Sequence, residues 1–259
     1  MGRTLWTKEE FMLVMNLYTK IHYGQFNNRN SEVIKLAELI GKTPGAVAYK
    51  LVHLSSQDPY HKNRGIKGLA NPGKNAIAIY NEFQENWDKM LYESEVLLAK
   101  YKNKTIEEEY LEWEEADLKN LKTLKGLDKE RLVKTRVNQS LFRKITLNNY
   151  SYSCTICNLN IDRLLVASHI LKWSEKEKER LNPENGLCLC SIHDKAFELG
   201  YIGITADYDI NISEELSSIS EKTYSAMFKR HQNQKIIMPD KFYPNPSFLD
   251  NHHQITFRK

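Results

Sequence analysis

No stretch of the sequence approaches the ~20 consecutive apolar residues that a bilayer-spanning helix needs, and the first residues lack the apolar core of a signal peptide. No membrane partner is expected, and the expected location is cytoplasmic. Cysteine is scarce, with four in 259 residues, too few for a disulfide scaffold. In a reducing compartment those four are expected as thiolates. Excess charge is lacking as well. The net charge is +4, with slightly basic ends around an acidic middle at 101–132. Nucleic-acid contact would have to come from local patches. No internal repeat or low-complexity tract is evident. What remains, 41% hydrophobic and 27% charged residues, is an ordinary globular mix long enough for two modest domains.

The most informative stretch runs from Cys154 to Glu198. Cys154 and Cys157 form C-x-x-C. The apolar run 164–167 ends at Ser168-His169-Ile170. Asn182-Pro-Glu-Asn185-Gly186 is a turn. Leu187-Cys-Leu-Cys190 is a second β-like run, from which Ser191, an expected N-cap with Asp194 three residues on, leads into a helix. A C-x-x-C knuckle supplies two thiolates from one turn, and tetrahedral zinc needs a second pair from elsewhere. Cys190-x-x-His193 has the matching spacing. Cys154, Cys157, Cys190 and His193 are therefore assigned as a structural Cys3His zinc site that clamps the knuckle to the helix start. Cys188 is read as a buried small hydrophobe, with substitution for a ligand as the alternative.

Strand, loop, strand and helix, with His, Asn and acid at the junctions, resemble the ββα-metal fold of HNH endonucleases. The resemblance covers about residues 136–205 and is closest to a bacterial restriction-type branch with the core S-H-I … N-G-L-x-L … H-D-x-A-F. It implies that His169 deprotonates water and that Asn185 orients this base or ligates metal. The family's final His lies at the start of the helix, where this chain has Asp194 directly after His193; Asp194 is expected as a catalytic residue and a ligand of Mg2+ or Mn2+, for which a carboxylate is a suitable hard donor. Glu198, one turn beyond Asp194, could add a second oxygen. The family often carries Asp or His just before the catalytic His, whereas this chain has Ser168. If zinc is absent, His193 becomes the third motif residue and Asp194 a helix cap. The branch also carries an R-x-x-Q-x-x-F-R helix, here Arg136 to Arg143. Arg136, Arg143 and Lys144 are candidate phosphate contacts, with surface solubility as the plain alternative. Trp173 and Arg180 match loop-shaping positions.

Upstream, Thr7 and Glu10 spell a capping box with a Trp6–Phe11 hydrophobic staple. Phe11, Val14, Met15, Tyr18 and Ile21 then mark a core-facing helix. Val33, Leu36, Ala37 and Ile40, a turn at Gly41, then Thr43-Pro44 and Val47 with Leu51, read as a helix-turn-helix-like pair. In that reading Lys42, Ala46, Tyr49, Lys50 and His53 face DNA; a plain αα-hairpin is the alternative. Lys62, Arg64 and Lys67 lie in a basic, glycine-rich stretch at 58–74 that suits phosphates or plain solvent. Acidic residues preceding lysines at 102–132 suggest a solvated helical linker. A hairpin about Ala206-Asp207, a helix near 213–231 and a loose tail follow.

The expected architecture is α+β. A helical DNA-reading domain (1–100) with the helix-turn-helix-like pair is joined by a charged linker (101–132) to a zinc-stabilised ββα-metal (HNH) domain (133–259). The expected activity is metal-dependent hydrolysis of double-stranded DNA, as a restriction or defence nuclease that could act on modified DNA, with a possible homodimer. The competing readings are a zinc-containing DNA-binding regulator without catalysis, and a homing or recombination nuclease.

Overall fold

A computed structural model describes residues 5–58, 73–110, 125–172 and 176–258. Their contacts divide into two compact units, Met1–Leu141 and Phe142–Lys259.

The first unit is helical and is built around α1 (Lys8–Lys20). Thr7 starts this helix through a complete capping box with Glu10, and the Trp6 and Phe11 rings meet at 5.5 Å. Leu13, Asn16, Leu17 and Thr19 are buried along with the expected apolar face. A helix buried on nearly every side sits in the middle of its neighbours. Here those are α2 (Ser31–Leu39), α3 (Pro44–Ser55), α4 (Lys74–Glu85) and α5 (Trp87–Tyr101). The polar members of α1 are satisfied internally. Asn16 Nδ2 donates to Ser94 and to Glu95, and Lys20 pairs with Glu95. Between α2 and α3, Gly41 takes φ +65°, the left-handed value that lets the chain reverse. Thr43 then caps α3 with Pro44 at its first position. A single helical turn, α6 (Ile106–Glu109), follows α5.

Helix α7 (Gly126–Asn149) begins in the first unit and ends in the second, whose core is assembled from its last two turns onward. β1 (Leu165–His169) pairs antiparallel with β2 (Gly186–Cys190), Leu165 opposite Cys190 and His169 opposite Gly186. β2 is buried throughout and runs straight into α8 (Ser191–Glu198). A second small sheet, β3 (Ile202–Ile204) with β4 (Ile210–Ile212), lies on the same core, as do α9 (Glu221–Met227) and α10 (Pro246–Ile255). The hairpin appears where its sequence signals stand.

Two local expectations need correction. The N-cap of α8 is Cys190 and not Ser191, because the Ser191 hydroxyl donates to the Leu164 carbonyl instead. The expected loose tail is tied down. Ile237 pairs with Thr155 through both backbone and hydroxyl, Asn149 holds Asp240 and Lys241, and α10 buries Leu249 and His252. Lys62, Arg64, Lys67, Trp173 and most of the acidic linker lie outside the described residues. Among the described residues no helix is long and apolar enough to cross a membrane.

Candidate metal centre and active site

The knuckle is set by a tight turn in which Asn158 takes φ +60° and donates its N–H to the Cys154 carbonyl. Thr155 N–H bonds the Cys188 carbonyl and so fastens the knuckle to β2. This brings Cys154 and Cys157 against Cys190, at the end of β2, and His193, in the first turn of α8. The four ligand atoms all lie within 4.8 Å of one another. Cys157 and Cys190 sulfurs are 3.9 Å apart, and His193 Nδ1 is 3.6 Å from Cys154 and 3.4 Å from Cys190. Tetrahedral zinc, with Zn–S ~2.3 Å and Zn–N ~2.0 Å, separates its ligand atoms by about 3.5–3.8 Å. The quartet therefore fits a zinc ion. His193 Nε2 donates to the Met227 carbonyl at 2.9 Å, which leaves Nδ1 as the ligating nitrogen. No cysteine is in a disulfide, and Cys190 is held toward the thiolate by Cys154 and, despite burial, by His193. Cys188 stays outside the cluster, its thiol pushed up to about 12 mainly by burial.

A second site lies at the C-terminal end of β1. A cavity of about 250 Å³ is lined by Ser168, His169, Lys172, Asp194, Glu198 and His252, among others. The His169 ring lies flat on Phe142, 3.7 Å between centroids and 11° from parallel. Its Nε2 is 2.9 Å from the Arg180 carbonyl. A carbonyl only accepts, so Nε2 carries the proton and Nδ1 the lone pair. Burial lowers the His169 pKa to about 4, so the ring is neutral near pH 7. Gly186, opposite His169, allows this stack: a Cβ there would stand 2.7 Å from Thr146 Oγ1 and 3.2 Å from the Phe142 ring.

Asn185 is buried and bonded entirely to backbone. Its Oδ1 accepts from Leu171 N–H, and its Nδ2 donates to the carbonyls of Leu171 and Glu179. Its side-chain amide is thus engaged with the loop that follows β1 and the loop that precedes β2. Asn185 fixes Glu179, the neighbour of the Arg180 carbonyl that holds His169. Asp194 is half-buried, and burial raises its pKa, opposed by a hydrogen bond with Ser168 and assisted by the nearby Glu198 charge. Glu198 is exposed and paired with Lys195 at 2.7 Å. Among the described residues the Cys3His quartet is the cluster of three or more potential ligands; His169, Asp194 and Glu198 do not form another.

The expected DNA contacts fare unevenly. Tyr49 is exposed, 51% of its surface being accessible. His53 is buried at 4%, with its ring against Tyr49, and is not on an open face. Lys50 is folded over the Trp6 and Phe11 rings, and its pKa is lowered by burial. Lys42 is 10% exposed and pairs with Glu10 at 3.1 Å. The physical reason is that α3 packs on both α1 and α4 as well as on α2, which covers more than one face. Arg136 and Lys144 are exposed on α7. Arg143 instead clamps the start of β1, donating to the Leu165 carbonyl and to Asp162. The sequence reading missed Phe142 as a platform, Lys172 and His252. Asn245-Pro246, an N-cap and first-turn proline, was the signal for the helix that carries His252.

Residues 154–205 match the HNH_2 family model, HNH endonuclease. No curated protein matches the chain. The HNH segment runs from the first knuckle cysteine to just beyond β3 and contains the whole metal quartet with His169, Asn185, Asp194 and Glu198. It thus carries the signature of a metal-dependent nuclease domain, and DNA is the substrate that signature implies. α10, including His252, lies beyond it.

Proposed function

We propose that this protein is a metal-dependent endonuclease of double-stranded DNA, with His169 as its general base. The observation that carries the reading is the His169 geometry. It is a neutral imidazole, locked by a carbonyl at Nε2 and a ring beneath, that shares one cavity with two carboxylates inside the HNH segment. A water O–H gives its proton to Nδ1 as the oxygen attacks phosphorus and the P–O3′ bond breaks. Asn185 acts as a positioning residue through the loop that bears Arg180. Asp194 and Glu198 are the residues that would hold Mg2+ or Mn2+. When bound, that ion supplies charge neutralisation for the phosphate and leaving oxygen. Two carboxylates suit a hard ion that keeps several water ligands. The Cys3His zinc is structural, joining knuckle to helix.

Residues 1–100 are proposed to choose the target, through the exposed Tyr49 surface and the basic stretch 61–74, and residues 133–259 to cut. The helix pair α2–α3 serves as a helix-turn-helix-like reader in this scheme. A restriction or defence role, with modified DNA as a possible target, follows the branch whose core the sequence resembles. The test is incubation of the intact chain with methylated and unmethylated supercoiled plasmid in Mg2+, Mn2+ or EDTA. Conversion to open-circular or linear DNA with metal and none with EDTA is expected. Cutting that survives EDTA, or no cutting in any condition, would refute the proposal.

A further inference from the structure

The cavity that holds His169 is lined by two carboxylates, Asp194 and Glu198, and by one lysine, Lys172. The acids are engaged elsewhere, Glu198 with Lys195 at 2.7 Å and Asp194 with Ser168. Lys172 is exposed, and its ammonium has no ion-pair or hydrogen-bond partner among the described residues. Its charge is felt at His252, another lining residue, where it adds to the lowering of the pKa that burial chiefly causes. The chain that presents Lys172 is fixed. Ile170 N–H donates to the Asn185 carbonyl at 2.9 Å and Leu171 N–H to Asn185 Oδ1 at 2.8 Å. Asn185 Nδ2 donates in turn to the Leu171 carbonyl, which belongs to the peptide joining Leu171 to Lys172. The same amide holds Glu179, the neighbour of the carbonyl that locks His169. One side chain thus braces both the loop that orients the base and the segment that carries the lysine.

The charges in the cavity give this lysine a task. His169 is neutral near pH 7. A divalent ion held by Asp194 and Glu198 would offset their two charges and leave little to meet the phosphate itself. A phosphodiester brings one negative charge, and attack by the water oxygen gathers a second on the non-bridging oxygens. A cation matched to that developing charge favours the transition state over the ground state. We propose that Lys172 is a catalytic residue of this cavity, its Nζ donating to a non-bridging oxygen of the scissile phosphate. This rests on the nuclease reading above. No proton leaves Lys172. The water proton passes to His169 Nδ1, and the electron pair of the broken P–O3′ bond stays on O3′. An ammonium on a flexible stem and a fixed backbone suits a phosphate, which it meets as a point charge.

The experiment compares Lys172→Met, which keeps the stem and loses the charge, with Lys172→Arg, which keeps the charge. Single-turnover nicking of plasmid by the intact chain is measured at saturating protein over a range of Mg2+, with DNA affinity and thermal unfolding beside it. Lys172 is exposed, so both variants are expected to unfold as wild type does. One donor aimed at developing charge is worth ~10²–10³ in an enclosed site. At this open position Lys172→Met is expected to nick about tenfold or more slowly at saturating DNA and Mg2+, and Lys172→Arg to recover most of that loss. Removing a cation beside two carboxylates does not weaken their hold on a metal ion, so a loss that vanishes as Mg2+ is raised overturns the inference. So does Lys172→Met nicking at the wild-type rate, whether or not its DNA affinity falls, and so does Lys172→Arg nicking no faster than Lys172→Met. Should Lys172→Met unfold at a lower temperature, the same rates are compared where every variant is folded, under the same criteria. Wild-type protein that cuts no DNA overturns the nuclease reading and this inference together, whereas wild type that cuts beside an equally fast Lys172→Met overturns this inference alone.

Discussion

At the scale of single residues the cavity depends on imidazoles kept neutral by burial. His169 and His252 each have a pKa lowered to about 4 from an ordinary 6.5, chiefly by desolvation. Between those values the unfolded chain binds protons that the folded chain does not, so stability falls as pH falls. The contribution is fully present above about 6.5 and is lost as pH drops toward 4, on the order of 3 kcal/mol per ring over the full interval. The zinc ligands also protonate in acid, so the informative quantity is a difference between variants. Thermal unfolding from pH 7 down to pH 5 should show a smaller loss of stability for His252→Gln than for wild type. An identical loss in both would mean that His252 does not titrate with the depressed value. The contrast with Asp194 is instructive. Its burial raises the pKa, and Ser168 opposes that by hydrogen bonding to the carboxylate.

At the scale of elements, what was legible in the sequence was local. The Thr7–Glu10 box and the C-x-x-C knuckle with its C-x-x-H partner depend on spacings of three residues, and the start of α3 on the adjacent pair Thr43-Pro44. In the structure these signals become a cap, a quartet of side chains that could hold a metal ion, and a second cap. What was not legible depended on distant partners. Ser191 gave up its capping role to Leu164, 27 residues away. Arg143 met Leu165 across 22 residues, and His252 met Phe197 across 55. The helical period of α3 could not reveal that α1 and α4 cover the face expected to carry His53 and Lys50. The knuckle itself makes an element-scale prediction. Structural zinc sites contribute folding free energy directly, so Cys157→Ser should lose its zinc and lower the unfolding temperature, not merely slow catalysis. Elemental analysis should find about one zinc per wild-type chain, and zinc-free, folded wild-type protein would refute the assignment.

At the scale of the whole molecule, one ββα site carries one hydrolytic centre, so a single visit should cut one strand. A double-strand break then needs a second protomer, most simply a two-fold dimer, or a second visit. Supercoiled plasmid should pass through an open-circular intermediate before becoming linear, and cleavage should weaken with rising salt as phosphate contacts are screened. Linear product without an intermediate at low protein concentration would contradict this single-site picture. Residues 133–259 alone are expected to nick weakly and without target preference, and a preference equal to that of the intact chain would remove the proposed reader role from residues 1–100. The most direct test of the central claim is the rate of plasmid nicking by His169→Ala beside wild type, with DNA affinity measured on both. A general base contributes ~10²–10⁴ in rate, so the variant should bind DNA as wild type does and nick slower by about that factor; nicking by His169→Ala at the wild-type rate would contradict the account.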